Sequence, residues 1–175
     1  GSKKRHNLEI DLFGGEPLVN FGVVKEIIHY ARQREKETDK NIKLTLTTNG
    51  ILLKEQMAEL AEAGIDNINI SLDTLNTEAF KKITRREGLA RVLEGLKEAM
   101  KYPQIGLKIN CVPVLEDPEN LINLAEIARD NPIHVRFIEM MPIGYGKEFR
   151  FCGEDEICSV LEGAYGEMTP ITEKY

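Results

Sequence analysis

Two glycines, an acid and a proline, Gly14-Gly15-Glu16-Pro17, interrupt an apolar run that resumes at helical spacing. Glycine leaves the backbone open, so its amides can reach ligand atoms that a side chain would block; the blander reading is a tight loop. Other apolar runs also end in groups able to bind: Thr47-Thr48-Asn49-Gly50, Ser71-Leu72-Asp73, the pair Lys108 and Asn110, and Arg136 with Glu139 ahead of Met140-Met141-Pro142. Lys108 and Asn110 lie two apart and share one strand face. A cation in an apolar strand needs either a ligand or an ion network, here with Glu16, Asp73 or Glu139. Asp73 serves equally as a helix cap, and Thr-Asn-Gly alone is a turn signal. If these groups converge, hydroxyls, carboxylates and a cation make a site for a charged, zwitterionic small molecule.

Convergence depends on the elements between them. Five short runs read as strands: 8–13, 42–48, 68–73, 107–114 and 134–141. Each is rich in β-branched or bulky residues, as expected of a strand buried by helices. Helical stripes fall between them: Phe21, Val24, Ile27, Ile28 and Ala31 after a possible Asn20 cap, then Leu53, Met57, Leu60 and Ala61 before Gly64. Segments 77–84 and 89–101 break around Gly88, Asp117-Pro118 opens a stripe through Leu121, Leu124, Ile127 and Ala128, and a last helix is expected over about 154–162. Strict alternation predicts an α/β fold with parallel strands and right-handed crossovers. A (β/α) barrel and an open doubly wound sheet both satisfy it, and both gather ligands at the C-terminal ends of the strands.

Composition narrows the function. The 175 residues are 42% hydrophobic and 30% charged, with a net charge of −6. That balance argues against a nucleic-acid surface, and no apolar run is long enough to span a membrane. The basic residues 3–6 are not followed by the apolar stretch of a signal peptide. Cys111, Cys152 and Cys158 have no metal-ligand spacing; Cys111 and Cys158 read as core residues of a cytoplasmic protein with reduced thiols.

The "GGEP" after the first strand resembles the motif of radical S-adenosylmethionine (SAM) enzymes. With "LTTNGILL", "INISLDTLN", "LKINCVPV" and "VRFIEMMPIG" in this order, residues 8–175 resemble the GTP cyclases of molybdenum cofactor (molybdopterin) biosynthesis. The resemblance implies a partial TIM-like barrel of about five parallel β/α units. It implies a lyase-class enzyme that uses SAM and a [4Fe–4S] cluster to make a 5′-deoxyadenosyl radical and abstract hydrogen from GTP. It places SAM at Gly14, Gly15, Glu16, Ser71 and Met141, and the nucleotide at Thr47 and Lys108. No catalytic side chain and no metal ligand is assigned within this chain.

Two features depart from the cyclases. Asp11 stands where they carry an arginine, and an aspartate repels a triphosphate; "LFGGEPLVNFGVV" is similar instead to the peptide-modifying radical SAM maturases. The Cys-x3-Cys-x2-Cys cluster motif that such enzymes carry upstream of GGEP is not in these residues. With Gly1-Ser2 read as a tag remnant, residues 3–175 are expected to be one partial core domain from a larger enzyme, inactive alone, and to self-associate through an uncovered sheet edge. A non-catalytic nucleotide-binding (β/α) module is the reading from another class.

Overall fold

The computed structural model describes residues 5–113, 118–140 and 153–170. Its five strands are β1 (Asn7–Leu12), β2 (Asn41–Thr48), β3 (Asn67–Ser71), β4 (Gly106–Cys111) and β5 (Ile133–Phe137). All pair in parallel, in the spatial order β1-β2-β3-β4-β5. A doubly wound sheet reverses its strand order at a switch point, whereas this order never reverses. The sheet is therefore an arc of a (β/α) barrel. Its helices are α1 (Phe21–Glu37), α2 (Leu53–Ala63), α3 (Thr77–Thr84), α4 (Leu89–Ala99), α5 (Pro118–Arg129) and α6 (Glu154–Tyr165).

One expectation about the strands is corrected. Their bodies are not apolar throughout: burial alternates along β1, β2, β3 and β4, because helices cover only one face. Ile42, Leu44, Leu46, Ile68, Ile70, Leu107 and Ile109 point to that face and are buried. Burying each such side chain contributes about 1.5–3 kcal/mol relative to exposure. The opposite face carries the polar residues. Every strand except β2 also ends earlier than its apolar run suggests, and Val114 and Met141 lie outside the described residues.

The helix ends follow local chemistry, with several differences from expectation. Gly64 closes α2 in the left-handed region at φ 95°, its N–H reaching the Leu60 and Ala61 carbonyls. Asn20 precedes α1 without a side-chain cap bond; Glu16 instead caps a 3-10 turn over Pro17–Asn20. Asp73 does not cap α3, because Asn76 does so by accepting from Ala79 N–H at 3.0 Å. Ile27, expected in the core, is 36% exposed, and Cys158 is half-buried on α6, whereas Cys111 is fully buried. The Asp117 half of the Asp117-Pro118 signal lies outside the described residues, although Pro118 does begin α5. A smaller cluster of Leu121, Ile157 and Leu161 joins α6 to α5.

Arg32 ties three segments together beneath the sheet. Its guanidinium donates to the Gly64 carbonyl at 2.9 Å and the Ile42 carbonyl at 2.8 Å, and pairs with Glu35 and Asp66. Those carboxylates in turn accept from the backbone: Glu35 from Ile42 N–H at 2.6 Å and Asp66 from Leu44 N–H at 2.7 Å. Burial disfavours the Arg32 charge, but the two acids outweigh it and raise its pKa. Burial also pushes Glu35 up, and the Ile42 amide and Arg32 together hold it below the usual carboxylate range. Removing the guanidinium strands both carbonyls and both acids. Arg32→Met is expected to cost roughly 2–3 kcal/mol in urea unfolding, against less than about 0.5 kcal/mol for Arg34→Ala in the exposed Arg34–Glu37 pair.

Candidate functional site

Strand register arranges the uncovered face of the sheet in rows. Glu9 and Lys43 face each other in the lowest row, and Asp11, Thr45, Asn67 and Gly106 form the next. Above them run Thr47, Asn69, Lys108 and His134, and nearest the C-terminal strand ends lie Ser71, Asn110 and Arg136. Asn67 Nδ2 donates to Thr45 Oγ1 at 3.3 Å, and Asn69 Nδ2 to Thr47 Oγ1 at 3.2 Å. Gly106 leaves room for the Asn67 side chain, whose Oδ1 would stand 2.5 Å from a Cβ there and would have to shift. The charged residues Glu9, Asp11, Lys43, Lys108 and Arg136, with the Thr45–Asn67 and Thr47–Asn69 pairs, line a cavity of about 520 Å³ that also includes the 75% exposed Phe13.

Thr47 and Lys108, read from sequence as nucleotide contacts, therefore occupy one row of one cavity. Lys108 pairs with none of the three acids considered for it. Glu16 accepts from Leu18 N–H, Thr48 Oγ1–H and Asn49 N–H, Asp73 accepts from Val112 N–H, and Glu139 accepts from Glu154 N–H. Its ammonium remains available to the cavity.

The rim above is shaped by the glycines. Gly14 and Gly15 adopt φ of 101° and 59°, with open space where a side chain would stand. Their backbone faces solvent beside a shallow apolar recess of about 220 Å³ formed by Leu12, Phe13, Pro17, Val23 and Ile27. Glu16 has a different job from its neighbours. At 2.8 Å from Thr48 Oγ1 and 2.7 Å from Asn49 N, its carboxylate staples the glycine loop to the end of β2. That turn is itself seated deeply, since Gly95 lets α4 approach until a Cβ there would lie 2.7 Å from the Gly50 carbonyl.

Ser71 is exposed at the end of β3, level with Asn110, whose buried Oδ1 has no hydrogen-bond partner among the described residues. An orphan buried acceptor beside an exposed hydroxyl and open glycine amides fits a ligand offering N–H or O–H groups, as the amino group and ribose of SAM do. Met141, the remaining SAM position, lies outside the described residues.

Metal chemistry has no comparable support. Among the described residues no three His, Cys, Asp or Glu side chains stand close enough to hold a metal ion. Cys111 is buried on the helix side and Cys158 lies on α6, while Cys152 is outside the described residues. The described residues do not supply the three clustered thiolates of an iron–sulfur cluster.

The sequence pattern of the Radical SAM superfamily matches residues 3–128. The chain belongs to the radical SAM superfamily. It is 41% identical over 156 residues to a GTP 3′,8-cyclase of Clostridium perfringens (strain 13), covering 88% of this chain and 46% of that protein. Over 168 residues it is 37% identical to a GTP 3′,8-cyclase of Alkaliphilus metalliredigens, covering 94% and 51%. The chain thus spans about half the length of the curated relatives it matches. Among solved structures, a domain of a pyruvate-formate lyase-activating enzyme from Bacteroides vulgatus aligns with TM-score 0.66 at 13% identity, covering 88% of this chain and 92% of that one. The structure titled native anSMEcpe with bound AdoMet and Cp18Cys peptide aligns with TM-score 0.68 at 16% identity, covering 94% and 47%. At these identities the structural neighbours speak for the radical SAM fold. No helix among the described residues is long and apolar enough to cross a membrane.

Sequence reasoning singled out the rim and Thr47 and Lys108, which the structure places in one row, but did not single out their cavity neighbours Glu9, Lys43, Thr45, Asn67 and Asn69. The signal was the strict period of two in Asn7–Leu12, where Asn7, Glu9 and Asp11 alternate with Leu8, Ile10 and Leu12.

Asp73 supports the rim from behind. It receives Val112 N–H at 2.8 Å, while Asn120 Nδ2 donates to its carbonyl at 2.9 Å and accepts Leu75 N–H through Oδ1 at 2.9 Å. Burial pushes the Asp73 carboxyl above its ordinary value of 3.8, and the Val112 bond offsets only part of this. A raised folded-state value means that ionised Asp73 costs stability at neutral pH, a cost that disappears as the pH falls through that value. Asp73→Asn keeps an acceptor for Val112 and removes the charge. It should match or exceed the wild type in urea unfolding at pH 7, with the difference closing as the buffer is acidified.

Proposed function

We propose that this chain is the core of a radical SAM enzyme most like the GTP 3′,8-cyclases, with SAM at the strand-end rim and the substrate on the inner face below. The observation that carries this reading is the stacking of two levels: open glycine backbone, Ser71 and the Asn110 acceptor above, Thr47 and Lys108 beneath, with neither Asn110 Oδ1 nor the Lys108 ammonium partnered among the described residues. The relatives named GTP 3′,8-cyclase support the reaction class, which in such enzymes begins molybdopterin biosynthesis.

Gly14 and Gly15 offer backbone groups to the methionine end of SAM, and Ser71 and Asn110 offer polar atoms to its ribose or carboxylate. In a radical SAM enzyme a [4Fe–4S] cluster together with SAM would supply the hydrogen-abstracting chemistry, and the described residues would serve only to hold SAM and substrate. This chain's own residues bind and orient: Lys108 attracts an anionic group, and Thr47, already held by Asn69, presents its hydroxyl at a fixed position. The described residues supply no ligand set for such a cluster, and on its own the chain is proposed to produce no 5′-deoxyadenosine.

A peptide-modifying reading has a specific point in its favour, namely that Asp11 faces the cavity where a triphosphate would meet it. The neighbour whose title names a bound peptide as well as AdoMet is compatible with that alternative. Self-association also belongs to this proposal, because β1 is an edge strand and Phe13, Val19 and Tyr30 near it are 75%, 76% and 66% exposed.

Equilibrium dialysis of SAM tests the rim assignment without turnover. Gly15→Val, which puts a branched side chain at positive φ, and Ser71→Ala are expected to weaken binding by roughly five- to tenfold or more, while Lys108→Gln leaves it unchanged. Unaltered SAM affinity in the Gly15 variant, or a loss confined to the Lys108 variant, would contradict the reading.

A further inference from the structure

Charged side chains on the helix surface of this protein neutralise one another, as in Lys25–Glu59, Lys54–Glu94 and Arg91–Glu55. The cavity behaves differently. Glu9, Asp11, Lys43, Lys108 and Arg136 all line it, and none has a hydrogen-bond or ion-pair partner among the described residues. Even Glu9 and Lys43, which are opposite in register, are not bonded to each other.

Their placement is ordered. Both acids project from β1 in the two lower rows, whereas Lys108 and Arg136 project from β4 and β5 in the two upper rows. Between them lies a neutral band, the Thr45–Asn67 and Thr47–Asn69 pairs, whose side chains are already mutually bonded. At the usual strand spacing, β1 and β4 are about 14 Å apart along the sheet before curvature brings their side chains closer. The cavity therefore has an acidic edge along β1, where Lys43 of β2 stands opposite Glu9 and Asp11 has no cation opposite it, and a positive edge along β4 and β5.

We propose that this cavity takes a dipolar ligand, its N–H-donating pole on Glu9 and Asp11 and its anionic pole on Lys108 and Arg136. The inference rests on the inner face being the substrate chamber. A polyphosphate chain is confined to the β4–β5 side, since along β1 it would meet two carboxylates. A carboxylate binds most firmly to two parallel N–H donors. Two sources supply that pair together with a distant anion: the 2-amino edge of a guanine nucleotide, or an arginine in a peptide that also carries an acid. In either case Asp11 is a specificity-determining group, and the bonded Thr–Asn pairs form a neutral floor under the ligand's middle.

The test is isothermal titration of the full chain and of Asp11→Asn and Lys108→Gln with three probes: GTP, inorganic tripolyphosphate and the peptide Arg-Gly-Glu. Asp11 is exposed, so its variant should keep the fold, which circular dichroism checks. The wild type is expected to bind GTP or the peptide more tightly than tripolyphosphate. Asp11→Asn should weaken that preferred ligand about tenfold, as for the loss of one charge-assisted hydrogen-bonded pair, while tightening tripolyphosphate. Lys108→Gln should weaken both. A response with GTP identifies the guanine edge as the donor pole; a response with the peptide identifies the guanidinium. The proposal is overturned if Asp11→Asn leaves unchanged or tightens both GTP and the peptide, or if neither binds better than tripolyphosphate. SAM binding measured on the same samples separates the two levels: its absence alongside an intact Asp11 response contradicts the radical SAM reading of the rim and leaves the dipolar cavity standing.

Discussion

Right-handed crossovers between neighbouring strands, never reversing direction, lay the connecting helices on one side of the sheet. Only that side can be buried, so alternate residues of every strand are released from the core. The rest of the molecule follows from this constraint. Leu44, Leu46, Ile68, Ile70 and Ile109 fill the helix side at 0% exposure, and their immediate neighbours in sequence are free to be Thr, Asn or Lys. The polar cavity is the other half of the same pattern.

Rigidity at the strand ends has a separate origin. Short polar side chains are spent on holding backbone: Glu16 on Thr48 and Asn49, Asn49 Oδ1 on Ile51 N–H, Asp73 on Val112, and Asn120 on the loop after β3. Such groups resemble ligands for a substrate when read one at a time, yet most of them are satisfied within the chain. What remains unsatisfied is informative for that reason. Lys108, Asn110 Oδ1 and the open backbone of Gly14 and Gly15 stand out against a loop network that is otherwise closed.

The alternation of strands and helices was legible from apolar spacing and glycine placement, and the position of Gly64 fixed one helix end. The choice between barrel and open sheet was not legible from spacing, because both have the same local pattern and differ only in which strands become neighbours; only the motif resemblance pointed to the barrel, which the strand order bears out. At the site, motif spacing pointed to Gly14, Gly15, Ser71, Thr47 and Lys108. It also pointed to Glu16, whose carboxylate turns out to serve the scaffold. Glu9 and Lys43 escaped notice because they sit in the middle of runs that look hydrophobic on average; only the period of two separates their face from the core. Asp73 was ambiguous between cap and site, since an aspartate after a strand suits both, and the actual cap three residues later, Asn76, carried an equally good signal.

Two binding levels are proposed to share one face, with SAM at the rim and substrate beneath it. Amide chemical-shift mapping of the 15N-labelled chain during titration with SAM addresses that division directly. Shifts are expected at Gly14, Gly15, Ser71 and Asn110, with Lys43 and Glu9 in the lowest row unmoved. Shifts concentrated at Glu9 and Lys43, or on the helix surface, with the glycine loop silent, would contradict it.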